Sequence, residues 1–220
     1  MVMLKPVITL TTDFGEIYPA EMKGVILKIN PSAKIVDISH NITRHNIAAG
    51  AFAILSAAKY FPDNTIHVGV IDAEVGTSRR GIVIKSMSGQ HFIGPDNGLL
   101  IPAAKSLGSF KVYGIPEKLK KKASPTFHGR DIFAPLAARI SLGYNVEQFK
   151  LLKAYRQINF GEARITSGKI EGRVIHIDRF GNAITNIPQA MVKLKLGEML
   201  RFKKQSIPFA RTYADAGEGK

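Results

Sequence analysis

The sequence of 220 residues contains no cysteine. That excludes a disulfide frame and a thiolate zinc site. It also lacks a long apolar run. The longest weakly polar stretch, residues 47–58, is 12 residues, whereas a membrane span needs about 20. The opening MVMLKPVITLTTDFG has no charged start, long apolar stretch or small-residue cleavage site of a signal peptide. There are no internal repeats and no low-complexity tracts. His40, His45, His67, His91 and His176 do not stand at metal-ligand spacings, so no metal site is expected. The expectation is a cytoplasmic enzyme or binding protein without a membrane partner.

What is present is an ordinary globular mix, 45% hydrophobic and 22% charged, enough to offset chain entropy and long enough for one or two domains. The formal net charge is +14. Residues 1–100 hold 9 Lys and Arg against 8 Asp and Glu, whereas residues 101–220 hold 22 against 9. The charge is thus a property of the second half. Such a surface suits nucleic acid, an anionic ligand, or simple solubility. The densest cluster, Lys118-Leu119-Lys120-Lys121-Lys122, has no interleaved aromatic for base stacking. It reads as a solvated loop, and nucleic acid is not an expected partner.

The first half alternates strand-like and helix-like segments. Residues 7–12 (VITLTT) form a strand ending in a turn at Asp13-Phe14-Gly15. Residues 19–30 space Met22, Val25, Ile26 and Ile29 as a helix does. Residues 34–38 make a short strand, 46–61 an Ala-rich buried helix, and 65–71 a strand stopping before Asp72. Residues 81–86 and 91–93 read as a hairpin, 97–106 as a short helix, 110–113 as a strand, and 131–142 as a helix opened by Asp131. This rhythm predicts an α/β fold with a mostly parallel sheet flanked by helices, spanning 1–145. Ligands bind such sheets beyond the carboxyl ends of strands, where Asp13 and Asp72 stand. Residues 146–167 read as a linker. Residues 168–220 read as a small all-β domain, with alternation through 170–177 and a turn at Phe180-Gly181-Asn182.

Four clusters could carry chemistry. In Thr11-Thr12-Asp13-Phe14-Gly15, Asp13 either caps a turn or accepts bonds from ligand hydroxyls. The Asp-Phe-Gly of protein kinases is excluded as a reading, because no Gly-rich or His-Arg-Asp loop precedes it. In the segment from Ile71 to Arg80, Asp72 and Arg79 form either a structural ion pair or a site that holds a water. Gly94-Pro95-Asp96-Asn97-Gly98 reads as a turn before a helix. In Thr126-Phe127-His128-Gly129-Arg130-Asp131, the imidazole of His128 is either structural or faces a cleft.

Taken in order, TTDFG, EMKGVIL, VDISH, HVGVID, VGTSRR, GPDNGLL, TFHGRDIFAP and HIDRFGNAITNI resemble the S-adenosylmethionine hydroxide adenosyltransferases. These adenosine-forming S-adenosylmethionine hydrolases are related to the nucleophilic fluorinase and chlorinase. The resemblance covers essentially the whole chain. It implies an N-terminal α/β domain, a C-terminal β-barrel-like domain, and a homotrimer with sites at subunit interfaces. It also implies a reaction in which water or hydroxide attacks C5′ of S-adenosylmethionine, giving adenosine and methionine, with no cofactor and no metal. Asp72, Arg79 and His128 match the set that positions and activates water. Asp13 matches the carboxylate on the ribose hydroxyls, and Phe127 lies among the substrate-binding residues. Asp178 matches the residue facing the methionine amine, and Phe180 and Asn182 lie in the turn that contacts the nucleoside.

The same positions separate hydrolase from halogenase. The halogenases carry Tyr where Asp72 stands and an aromatic at His128, and the fluorinase has Ser at Gly129. A carboxylate in a dry pocket repels a halide. The chain also departs from the family pattern. Glu74 replaces a Gly, which implies strain if φ is positive there and brings a second carboxylate near the water. The loop after Gly15 is about two residues short, leaving Tyr18 as the available aromatic. The chain stops at Glu218-Gly219-Lys220, before the family's last strands, so the barrel is expected to be incomplete. These departures motivate the alternative of a non-catalytic adenosine or S-adenosylmethionine binder. A basic nucleic-acid binder, which would show steep salt-dependent affinity, is the third reading, and a halogenase is a further alternative.

Overall fold

Runs of β-branched and apolar residues form the central strands of the computed structural model, which describes residues 6–202 and 205–216. The chain divides into two compact units, Met1–Phe160 and Gly161–Lys220. In the first, β1 (Val7–Thr12) leads into α1 (Tyr18–Ile29), with Pro19 in its first turn, where a missing N–H does no harm. Then follow β2 (Lys34–Ser39) and α2 (Ile47–Ala58). Asn46 caps α2 by accepting the Ala49 N–H at 2.9 Å. Next come β3 (Ile66–Val70), β4 (Gly81–Ser86), β5 (His91–Pro95), α3 (Ile101–Ser106) and β6 (Phe110–Gly114). The helix α4 (Ala134–Ile140) and the two-residue strand β7 (Lys150–Leu151) complete the unit.

The seven strands form one sheet in the order β2-β1-β3-β5-β4-β6-β7. The β2-β1-β3-β5 pairs are parallel, and β4 returns antiparallel between β5 and β6. This is the expected mostly parallel sheet, including the hairpin of β4 and β5. Ile8, Leu10 and Val68 pack with Met22 and Ile26 of α1 and Leu136 and Ala137 of α4. On the other face Ile71, Ile84 and Phe92 pack with Ala51 and Ile54 of α2 and Ala103 and Ala104 of α3. Each fully buried large apolar side chain contributes about 1.5–3 kcal/mol.

Two parallel strands approach closely at a glycine. A Cβ at Gly94 would lie 2.2 Å from the Gly69 carbonyl oxygen. Gly94→Ala is therefore expected to force β5 from β3 and lower stability by about 1–3 kcal/mol, read as a drop in Tm.

Three local readings are corrected. The helix expected at 131–142 starts as a π-helical turn, Gly129–Phe133, in which the Ala134 N–H bonds the Gly129 carbonyl. The cause is Pro135, which has no N–H for the residue 131 carbonyl and whose ring crowds it in an α-helix. The helix expected at 97–106 begins only at Ile101, because Asn97 makes a turn by accepting the Leu99 N–H. Within the stretch read as a linker, Val146–Gln148 is a 3-10 turn and β7 pairs with β6.

The second unit contains three two-stranded antiparallel sheets among its described residues: β8 (Arg164–Thr166) with β9 (Lys169–Glu171), β10 (Val174–Ile177) with β11 (Ala183–Thr185), and β12 (Met199–Phe202) with β13 (Gln205–Pro208). The barrel-like domain is therefore not a closed barrel among the described residues. The expected strand 170–177 is broken, because Arg173 gives its N–H to the Asn186 side chain at 2.7 Å. No helix among the described residues is long and apolar enough to cross a membrane.

Candidate active site

The carboxyl ends of β1 and β3, adjacent in the sheet, place Asp13 and Asp72 on one edge. Asp72 follows the buried strand β3 by two residues, and the segment 73–78 folds back to bring Arg79 against it. The Arg79 Nε–H donates to Asp72 Oδ1 at 3.1 Å, and Nη2 donates to Asp72 Oδ2. Nη2 also donates to His128 Nδ1 at 3.1 Å, and Nη1 donates to the Arg80 carbonyl at 3.1 Å. The guanidinium lies 5.6 Å from the Phe133 ring centroid. Asp72, Arg79 and His128 are all buried. The structure thus joins three residues whose extremes, Asp72 and His128, stand 56 positions apart in the sequence.

Arginine has only donors. His128 Nδ1 must therefore accept, and its ring proton sits on Nε2. Burial pushes the His128 pKa below its ordinary value, and the Arg79 charge pushes it the same way. His128 is a neutral imidazole that offers an N–H. Taking up a proton at Nδ1 would break its bond to Arg79. Four of the five guanidinium N–H groups are used within this cluster.

The loop carrying His128 is itself held. Asp131 accepts the Ser124 N–H at 2.8 Å and pairs with Arg130, which also reaches Glu21. The Arg130 bond holds the Asp131 carboxyl below the usual carboxylate range. Phe127 sits in an aromatic cluster, 5.5 Å from Phe14 and 5.6 Å from Tyr18, both edge-on, with Arg130 over its ring at 4.8 Å. Phe127 is thereby brought against the turn that carries Asp13. Asp13 accepts the His45 N–H at 2.8 Å, and His45 has a φ of 60°. Thr12 bonds His40 Nδ1 at 2.9 Å, and the Gly15 N–H bonds the His40 carbonyl at 3.0 Å. The signal for Phe14 and Tyr18 was only their place beside Asp13.

One expectation about Glu74 is settled by the backbone. Among the described residues the only non-glycine positive φ angles are at His45, Asn64 and Ser167, so Glu74 carries no left-handed strain. Its carboxylate pairs with Arg156 at 2.6 Å, half exposed. Exposed pairs contribute about 0–1 kcal/mol. Glu74→Gly is expected to change stability by less than about 1 kcal/mol, as measured by thermal melting. A cleft of about 490 Å³ runs beside this pair, lined by Glu74, Thr77, Ser78, Arg79, Arg80, Asp96 and Arg156.

Asp178, Phe180 and Asn182 lie in the second unit and form one turn. Asp178 accepts the Phe180 and Asn182 N–H groups, both at 2.9 Å, and the Asn182 side-chain amide at 2.7 Å. The Asn182 amide holds the Asp178 carboxyl below its usual range. Gly181 supplies the positive φ of 86° that the turn requires. Phe180 is 84% exposed. No group of three or more His, Asp or Glu suited to a metal ion occurs among the described residues.

The sequence matches two family models: SAM hydroxide adenosyltransferase N-terminal domain over residues 8–150, and SAM hydroxide adenosyltransferase C-terminal domain over residues 172–220. It is 43% identical over 205 residues to a protein of Methanocaldococcus jannaschii named (R)-S-adenosyl-L-methionine hydrolase, covering 90% of this chain and 73% of that one. A fluorinase from an Actinoplanes species is more distant, 26% identical over 97% of this chain and 85% of its own length. The crystal structure of an uncharacterized conserved protein from Thermotoga maritima superposes with a TM-score of 0.88 at 34% identity, covering 97% of this chain and 86% of that one. With both domain models matched in order along one chain, the protein belongs to the SAM hydroxide adenosyltransferase family.

Proposed function

We infer that the chain hydrolyses S-adenosyl-L-methionine to adenosine and L-methionine. The observation that carries the chemistry is the buried Asp72–Arg79–His128 cluster beyond β3. A sulfonium is a good leaving group. The remaining task is to align a water in line with the carbon–sulfur bond. In this reading Asp72 accepts a hydrogen bond from the attacking water and His128 Nε2–H donates one. As the oxygen–C5′ bond forms, the C5′–sulfur pair passes to sulfur and leaves methionine as a neutral thioether. The proton freed from the new hydroxyl goes to Asp72 and then to solvent. Arg79 cannot act as a base near neutral pH and serves to hold both partners. Asp13 holds the ribose hydroxyls, Phe127 lines the nucleoside site, and Asp178, Phe180 and Asn182 contact the methionine amine and nucleoside. The reaction needs no cofactor and no metal. A homotrimer working in the cytoplasm belongs to the same reading. Its support is the family resemblance and the exposed apolar side chains of the second unit, among them Ile165, Ile177 and Phe180.

Hydrolysis is favoured over halogenation because Asp72 offers a halide no donor, and Arg79 has nearly all its donors in use. A like charge at 4 Å costs about 4 kcal/mol at an effective dielectric of about 20. The test is incubation of the purified chain with S-adenosylmethionine, without halide and then with chloride or fluoride, followed by chromatography of the nucleosides. Adenosine is expected in every sample. A 5′-halo-adenosine would move the protein to the halogenases. Saturable adenosine binding without turnover would make it a binding protein.

A further inference from the structure

The Gly94-Pro95-Asp96-Asn97-Gly98 segment is not used by the chemistry above. Its two polar side chains nevertheless grip both chain segments that carry the Asp72–Arg79 pair. Asp96, with a side chain only 3% exposed, accepts the Arg80 Nη2 donor at 2.5 Å and the Arg156 N–H at 2.8 Å. Its own N–H donates to the Arg80 carbonyl at 2.9 Å. That carbonyl is also the acceptor for Arg79 Nη1 at 3.1 Å. One residue along, the Asn97 side-chain amide donates to the Ile71 carbonyl at 2.8 Å, immediately before Asp72. Asn97 Oδ1 accepts the Leu99 N–H at 3.1 Å, which fixes the amide's orientation.

We propose that Asp96 and Asn97 are positioning residues for the reaction, a two-pronged clamp that sets the Asp72 carboxylate and the Arg79 guanidinium at a fixed separation. The proposal rests on the hydrolase reading for its kinetic consequence. Neither residue is assigned a substrate contact. Asn97 acts through the carbonyl that precedes Asp72, and Asp96 through Arg80, the residue that follows Arg79. The Asp96 carboxylate anchors the Arg80 side chain and its backbone N–H the Arg80 carbonyl that accepts from Arg79 Nη1, so losing the carboxylate frees the segment that orients Arg79; Arg79 in turn fixes the ring of His128 as the Nε2–H tautomer. Asn97 fixes the peptide from which Asp72 departs. A misplacement of about 1 Å at a reacting site costs on the order of 10²-fold in rate. Loss of either prong should therefore appear in kcat rather than in KM.

The test uses the full chain with Asp96→Asn and, as a second variant should that one misfold, Asn97→Ala. Fold is checked by thermal melting. With S-adenosylmethionine as substrate, kcat is expected to fall about 10–100-fold while KM stays within about twofold. In an Arg79→Lys background, Asp96→Asn is expected to add no further loss, because the residue acts through Arg79. The nitrogen resonances of the His128 ring give a readout independent of turnover. The unaltered chain should show the Nε2–H tautomer, and Asp96→Asn a mixture of tautomers. Folded variants with unchanged kcat and unchanged His128 resonances would overturn the clamp, as would additive losses in the Arg79→Lys background. A parent chain without adenosine release would overturn the hydrolase reading alone, and the His128 resonances would still decide the clamp.

Discussion

Asp72→Asn is expected to lower turnover of S-adenosylmethionine by about 10²–10⁴, the usual range for a positioned proton-accepting group, while nucleoside binding persists. The substitution keeps the shape of the side chain and removes its charge. A water facing an amide loses its strongest acceptor. Adenosine release over time, beside a binding isotherm for adenosine, measures both sides of the claim. An unchanged rate would remove Asp72 from the mechanism. Asp72→Ala is the harsher variant and reports something else. It leaves the buried Arg79 without its carboxylate, and breaking a buried pair in this way costs about 3–5 kcal/mol. Its Tm should fall sharply, so its lost activity would mix misfolding with chemistry. Both variants leave the buried Arg79 without its counter-charge, but Asp72→Asn keeps the side-chain volume and one acceptor oxygen, so comparing the two separates the loss of charge from the loss of packing and of the remaining acceptor.

The second large effect is acid lability built around His67. The ring lies in the core, 1% exposed, stacked on Phe92 with centroids 4.9 Å apart and edge-on to Phe61 at 5.6 Å. Its Nε2–H donates to Gln90 Oε1 at 3.1 Å, so Nδ1 accepts the Thr9 hydroxyl at 2.7 Å. Burial pushes its pKa down to about 4. Unfolding restores a value near 6.5. The unfolded chain therefore binds a proton that the folded one refuses. Stability is fully present above about pH 6.5 and is lost as the pH falls towards 4. A shift of this size corresponds to about 3 kcal/mol. His91, also lowered to about 4 by burial and then by Lys85, adds a contribution of the same sign. Melting curves between pH 7 and pH 4 should show a steep loss of Tm. In His67→Gln the slope with pH should shrink, whatever the variant's stability at pH 7. An equal slope in both proteins would show that the acid sensitivity lies elsewhere.

Much of this was legible in the residues. The β-branched runs and 3.6-residue spacings fixed the alternation of strands and helices, and with it the parallel sheet. The sheet's polarity then placed Asp13 and Asp72 at strand ends. The Ser88-Gly89 turn marked the β4–β5 hairpin. Less was legible where one residue's local preference was set by a distant one. Lys150–Leu151 has no periodicity to detect, and it is a strand only because β6 offers it an edge. The π-helical turn before α4 could have been suspected from Pro135, since the proline ring is a local constraint. Glu74 could not have been read correctly, because its partner Arg156 is 82 residues away.

Sequence alone determined the fold class and the family. Those follow from period, turn chemistry and ordered motifs, all of which are local along the chain. Only the tertiary structure decided which nitrogen of His128 carries the proton, where the Glu74 charge is spent, and that Asp96 and Asn97 bond Arg80 and the Ile71 carbonyl beside the Asp72–Arg79 pair. Each of those depends on which donor meets which acceptor across a folded interior. Arg79 selects the tautomer of His128 because a guanidinium can only donate, and nothing short of the contact between them could say so.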